Sequence, residues 1–331
     1  MDYTDEELLD LRLCDLDVRI PGTWLEDMVA QLHDEMGARG IRLRPHCWLS
    51  NEWFSPDGVP GIAIPFYLAH PRLMKLERRQ MLEVEGGTRK WCMRLLRHEA
   101  GHAFDTAYRL RRKKRWARVF GRASRPYPST YRPRPDSRNH VLHLAWWYAQ
   151  SHPVEDFAET FATWLAPGSK WRSQYAGWPV LKQLEFVDDI VQECSTYPPP
   201  VRSRAHTEPV GSLKRTLRAH YKARRRRYGV DLPDFFDQLL ERLFAPGRAS
   251  TSESAAAFLR RTGPELRRRV VQVTGLHAYT VDQFLEEMKT RCRRLGLRRT
   301  RSERHVKLEA AILLAGQVMG YVNGGAHHVA L

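Results

Sequence analysis

The residues with the clearest chemistry are His98-Glu99-Ala100-Gly101-His102. On a helix, histidines four apart lie one above the other on one face, so both imidazoles can converge on a single cation. A glutamate beside the first histidine points near the same spot, where it can hold a water and take its proton. The arrangement reads as a zinc site of hydrolytic type, with Zn2+ as the cofactor. Two histidines do not complete such a site, because a catalytic zinc takes about three protein ligands and keeps one place for water. Histidines at this spacing also occur on ordinary helices, so the reading depends on a third ligand.

The best source of that ligand is the stretch HPVEDFAETFATWL, residues 152–165. Pro153 suits the first turn of a helix, and Glu155 and Asp156 suit its N-terminal dipole. Phe157, Phe161, Trp164 and Leu165 form an apolar stripe, which leaves Glu155 and Glu159 stacked on one face. Glu155 as a metal ligand and Glu159 as acceptor for a ligand histidine N–H would account for two acids beside that stripe. Solvated acids on an amphipathic helix are the ordinary alternative. His143 and His152 are rival donors, and each is an alternative ligand. Asp105, three residues after His102, reads equally as a support for the site or as a surface acid.

HEAGH followed by EDFAE resembles the gluzincin group of zinc metallopeptidases, whose third ligand is a glutamate on a second helix with a supporting acid four residues on. The longer phrases HEAGHAFDTAY and HPVEDFAETFATWL are similar to the bacterial family described as "putative zinc-binding metallopeptidases". The pattern also resembles the lethal-factor-type peptidases, which place a tyrosine seven residues before the ligand glutamate; here that position is Tyr148. These likenesses span residues 88–165. They imply His98, His102 and Glu155 as metal ligands, Glu159 as supporting acid, Glu99 as general base, and Tyr148 as a donor to the developing oxyanion. An aromatic core cluster with Trp146 and Trp147 is the other home for Tyr148. They also imply a substrate-binding edge strand ahead of the histidine helix, for which 61–67 is the candidate. The activity implied is hydrolysis of peptide bonds. A zinc-bearing regulatory or nucleic-acid-associated protein and a hydrolase of other amides are the alternatives.

These residues need elements to hold them. Gly86 and Gly87 break what precedes, Thr88 is a good N-cap, and no proline interrupts the next two dozen residues, so a helix is expected over 88–110. Gly101 costs that helix roughly 1 kcal/mol relative to alanine, which is reasonable if a second segment must approach closely there. Thr4 and Thr23 each open a capping box ahead of an apolar stripe, the second helix stopping at Gly37. Residues 41–50 and 62–68 look extended and predict a small sheet. Gly121–Asn139 reads as a proline- and arginine-rich loop, either a lid or disordered. A further helix is expected over 180–194. The run Pro198-Pro199-Pro200 marks a linker, and all ten tryptophans precede it. Beyond it, helices are expected near 212–228, 233–244, 252–261, 264–273, 281–295 and 303–321. Gly316 and Gly320 predict close packing in the last of these, and His327 and His328 read as a frayed terminus. The fold expected is α+β and predominantly helical: a zincin-like domain with a small sheet over 1–200, then a basic helical region over 201–331.

The 331 residues carry a net charge of +16, unevenly distributed. Residues 1–200 have 28 basic and 26 acidic side chains, and residues 201–331 have 26 and 12. Within 109–139 there are twelve basic residues and one acid. A basic rim favours an acidic peptide or protein substrate, or nucleic acid bound through 109–139 and 214–227, against the simpler reading of solvated arginines. Five scattered cysteines without a CxxC argue against a disulfide framework or a thiolate zinc site. The acidic start and the lack of any run of about twenty apolar residues point to a cytoplasmic protein without membrane contact.

Overall fold

The computed structural model describes residues 3–128, 131–228, 236–246 and 252–323. His327 and His328 lie outside them. The chain is predominantly helical with a small parallel sheet. No helix among the described residues is long and apolar enough to cross a membrane. The chain groups into two units, one built from residues up to Gln80 and from Val84–Tyr221, the other from Met81–Glu83 and from Lys222 onward.

In the first unit, Thr4 forms the expected capping box with Glu7. Thr23 caps helix Trp24–Ala38, but its box does not close, because Glu26 accepts instead from the Gly22 N–H at 2.7 Å. The helix also runs past Gly37 and ends before Gly40, whose φ of +76° is the left-handed turn that stops it. Strand β1, His46–Ser50, pairs in parallel with β2, Gly61–Pro65.

Every residue of β2 is buried, the Ala63 N–H is taken by the Phe54 carbonyl at 2.8 Å, and from Phe66 the chain turns into a 3-10 helix. The expected substrate-binding edge at 61–67 is therefore interior and already paired. The core lies between the histidine helix, Arg89–Tyr108, and the glutamate helix, Pro153–Leu165, with Phe104 stacked on Phe161 at 5.2 Å. Helix Leu181–Ser195 packs beside them, where Trp164 Nε1 donates to Asp188 and Gln183 Nε2 to Asp156.

The boundary expected at residue 200 falls later. Residues 201–217 are sewn to the first unit: Val201 N donates to Ala107 O, Trp48 Nε1 to Thr207 O and Ser50 Oγ to Glu208 O. Leu13 N and Cys14 N donate to Arg215 O and Leu213 O, and Leu217 N to Leu11 O. A backbone held on both sides by long-range bonds does not behave as a linker, whatever its prolines predict.

The second unit contains helices Phe236–Leu243, Ala255–Thr274, Ala278–Arg294 and Glu303–Asn323, with a two-residue antiparallel pair joining Ala245–Pro246 to Leu297–Arg298. Helix Ala255–Thr274 passes straight through Pro264, where two helices were expected. Gly263 explains this, since it removes the Cβ that a following proline ring would crowd. In the last helix Val306, Ala310, Leu314, Val318 and Val322 are buried. Gly316 and Gly320 lie off that stripe, where an added Cβ would meet nothing within 4 Å, so they do not mark a close contact among the described residues.

Candidate metal centre

The histidine helix opens at Thr88, whose Oγ1 accepts from the Trp91 N–H at 3.2 Å. The glutamate helix opens at His152, which caps it through Nδ1, with Pro153 in the first turn. The two cross at Gly101. A Cβ there would stand 2.8 Å from the Ala158 Cα and 3.2 Å from the Phe161 Cβ. Hydrogen is thus the largest group the crossing accepts without movement, and the close approach brings Glu155 beside both histidines.

The Nε2 atoms of His98 and His102 are 3.1 Å apart. Glu155 Oε2 lies 3.2 Å from the first and 3.1 Å from the second. Tetrahedral ligands at bond lengths of about 2.0–2.1 Å stand about 3.3–3.4 Å from one another. The triangle therefore fits a zinc-sized ion, and its two imidazoles and one carboxylate are a zinc donor set. Among the described residues these three form the group of histidine and acid side chains whose ligand atoms converge in this way.

Neighbouring groups hold these side chains in place. His98 Nδ1 donates to Glu159 Oε1 at 2.8 Å, and the other Glu159 oxygen accepts from the Leu144 N–H at 2.7 Å. Burial alone would push the His98 imidazole down, but Glu155 and Glu159 outweigh it and lift its pKa to about 10. Burial would raise the Glu155 carboxyl, yet His102 and His98 hold it well below the usual range. A cation is favoured at this spot, and a metal entering it displaces a proton. Glu99 is 2% exposed, burial raises its pKa, and its Oε2 has no hydrogen-bond partner among the described residues. An idle carboxylate oxygen beside three converging ligands is suited to receive a proton from water.

Tyr127 was missed in the sequence. Its O–H donates to Glu155 Oε1 at 2.7 Å, and its ring stacks on His152 with centroids 3.8 Å apart. Described residues on either side of it are bonded in place: Arg125 O accepts from His152 Nε2, Tyr131 O–H donates to Trp146 O, and Arg134 exchanges two bonds with Gln150. The one available signal was a pair of tyrosines in a stretch otherwise rich in proline, arginine and serine.

Tyr148 is buried, with its ring 5.8 Å from the His98 ring. Burial and the nearby Glu155 keep its phenol protonated, so it remains a donor. The turn before it is unusual. Trp146 and Trp147 both adopt left-handed backbone angles, φ 62° and 50°, at a cost of roughly 1–3 kcal/mol each. Tyr148 thus enters from a strained turn.

The rival histidines are occupied. His152 uses Nδ1 for Val154 N and Nε2 for Arg125 O, and His143 Nε2 meets the Arg94 carbonyl at 3.0 Å. Asp105 is fully buried and bound to Arg111 through the Arg111 N–H and Nε, so it is neither a surface acid nor a hydrogen-bond partner of His102.

Residues 75–170 match a protein family described as "Putative zinc-binding metallo-peptidase". That span contains the histidine helix, the loop and the glutamate helix. No curated protein and no solved structure matches the chain.

Proposed function

We propose that this chain is a zinc-dependent peptidase. The observation that carries the reading is the convergence of His98 Nε2, His102 Nε2 and Glu155 Oε2 within 3.2 Å of one another beside the unpartnered Glu99 oxygen. Zn2+ held by those three side chains supplies Lewis acidity, which acidifies water to a pKa of about 7 and polarises a carbonyl. Glu99 accepts the proton of the attacking water at its free oxygen and returns it to the leaving amine. Its raised pKa suits both halves of that transfer. The Tyr148 phenol donates to the oxyanion that develops on the substrate carbonyl. Glu159 holds His98 in the tautomer that presents Nε2, and Tyr127 holds Glu155 so that Oε2 faces the histidines.

The test is Glu99→Gln, which keeps the shape of the site and removes the base. Zinc content should stay at one equivalent while turnover falls about 10²–10⁴-fold. Both are read on the purified protein, by metal analysis and by counting new N-termini in a treated proteome. Undiminished cleavage by this variant would reject Glu99 as the base and with it this mechanism.

A further inference from the structure

Past the last turn of the histidine helix the chain makes a second feature that the hydrolytic scheme does not use. Arg109 takes a left-handed conformation, φ 52°, at the position where helices usually place glycine. The turn swings Arg109, Arg111 and Arg112 around the helix end, and they line a cavity of about 310 Å³ together with Asp57, Thr106 and Val201.

Arg111 is committed within this wall: it holds buried Asp105 and reaches Asp57 at 2.6 Å. Arg109 and Arg112 are exposed, and their guanidinium groups have no hydrogen-bond or ion-pair partner among the described residues. The helix C-terminus itself favours nearby cations. That accounts for basic residues at this end but not for two unpaired forks facing one concavity. Guanidinium forks match planar oxyanions, above all carboxylates. The cavity lies near the candidate metal centre, because Asp105, on the helix that carries His102, is part of its lining. Asp105 follows His102 by one turn, and Arg111 lies within electrostatic reach of Tyr127, which is bonded to Glu155.

We infer that the Arg109–Arg112 cavity binds an acidic side chain of a peptide substrate, an aspartate or glutamate a few residues from the bond to be cut. The inference rests on the peptidase reading, but its test is one of binding alone. The probes are a fluorescent decapeptide containing four glutamates, the same peptide with four glutamines, and a labelled 20-base-pair DNA duplex. The receptor is the full, zinc-loaded Glu99→Gln chain, which does not consume the peptides.

At 0.15 M salt the glutamate peptide should bind about tenfold tighter than the glutamine peptide. The double variant Arg109→Ala/Arg112→Ala, made in the same background, should close that gap while zinc content and melting temperature stay unchanged. Equal affinity for the two peptides overturns the assignment, and so does a gap that survives the double variant. DNA binding that depends on both arginines, without discrimination between the peptides, gives the cavity to phosphate and overturns it as well. Cleavage by the wild-type chain without peptide discrimination sinks the cavity alone. Discrimination without any cleavage sinks the peptidase alone.

Discussion

Each unit of the molecule contains a carboxylate shared between nitrogen-bearing side chains. In the first, Glu155 lies between two imidazoles and Glu159 between an imidazole and a backbone N–H, all fully or almost fully buried. In the second, Glu253 lies between Arg261 and Arg299, and Arg261 reaches on to Glu303, with side chains a quarter to a half exposed. The hydrogen-bond patterns are alike and the environments are not. Water screens the second network and leaves each pair worth little. In the first, a lost partner strands a charge away from water. Within residues 201–331, Arg261, Arg267, Arg291 and Arg301 stand against acids of the same region, whereas Arg109 and Arg112 line a cavity with no acid paired to them among the described residues.

Substitutions make the contrast measurable. Glu159→Ala should cost the metal-free protein about 3–5 kcal/mol in urea unfolding, because His98 and the Leu144 N–H both lose their acceptor. A loss under 1 kcal/mol would mean that the two networks are energetically equivalent after all.

Tyr127→Phe removes one hydrogen bond outside the ligand set. Zinc affinity, read by competition with a chromophoric chelator, should fall about tenfold with little change in melting temperature. Unchanged affinity would make Tyr127 a bystander.

Alanine at two glycines should act in opposite directions. At Gly101 it meets the Ala158 backbone at 2.8 Å, and the overpacking, about 1–3 kcal/mol, exceeds or cancels the roughly 1 kcal/mol that alanine adds to helix propensity. Weakened zinc binding should accompany it. At Gly316, where nothing lies within 4 Å, the same change should stabilise by up to about 1 kcal/mol. Two shifts of the same sign in thermal melts would break the contrast.

Glu253→Gln should have the smallest effect, under about 1 kcal/mol at pH 7. Arg261 and Arg299 lower the Glu253 pKa from 4.5 in the fold. The stability this contributes is present above about 4.5 and is lost as pH falls through the lower, folded value. Urea titrations of both proteins at pH 7 and pH 3 should therefore show a gap that closes in acid.

What was legible in the sequence was mostly local. Thr88, and Pro153 with its neighbouring acids, mark helix starts through contacts within a turn, so the two helices and the faces bearing His98, His102, Glu155 and Glu159 can be laid out from spacing alone. Gly101 could be read as a crossing point because a mid-helix glycine costs something. What was hidden depends on distant partners. Nothing near Tyr127 in the chain signals that its hydroxyl lands on Glu155, and nothing near His152 signals that both its nitrogens are used. Left-handed tryptophans at 146 and 147 go against local preference and persist only where surrounding packing imposes them. Local rules failed for the same reason at β2, where the apolar run 62–68 looked extended but gave no sign that Phe54 would occupy its free side, and at the Arg109 turn, where an arginine takes the left-handed angles that glycine usually supplies.

The bonds from residues 201–217 back to the first unit bear on how the site could be isolated. A fragment severed at Pro200 would discard the strap that covers β1, meets the N-terminal segment at Leu11, Leu13 and Cys14, and bonds the Ala107 carbonyl near the end of the histidine helix through the Val201 N–H. The histidines and glutamates would all remain in such a piece, yet the scaffold that spaces them would have lost one of its walls. The smallest self-sufficient version of the site should end beyond Tyr221, well past the prolines that look like the natural place to cut.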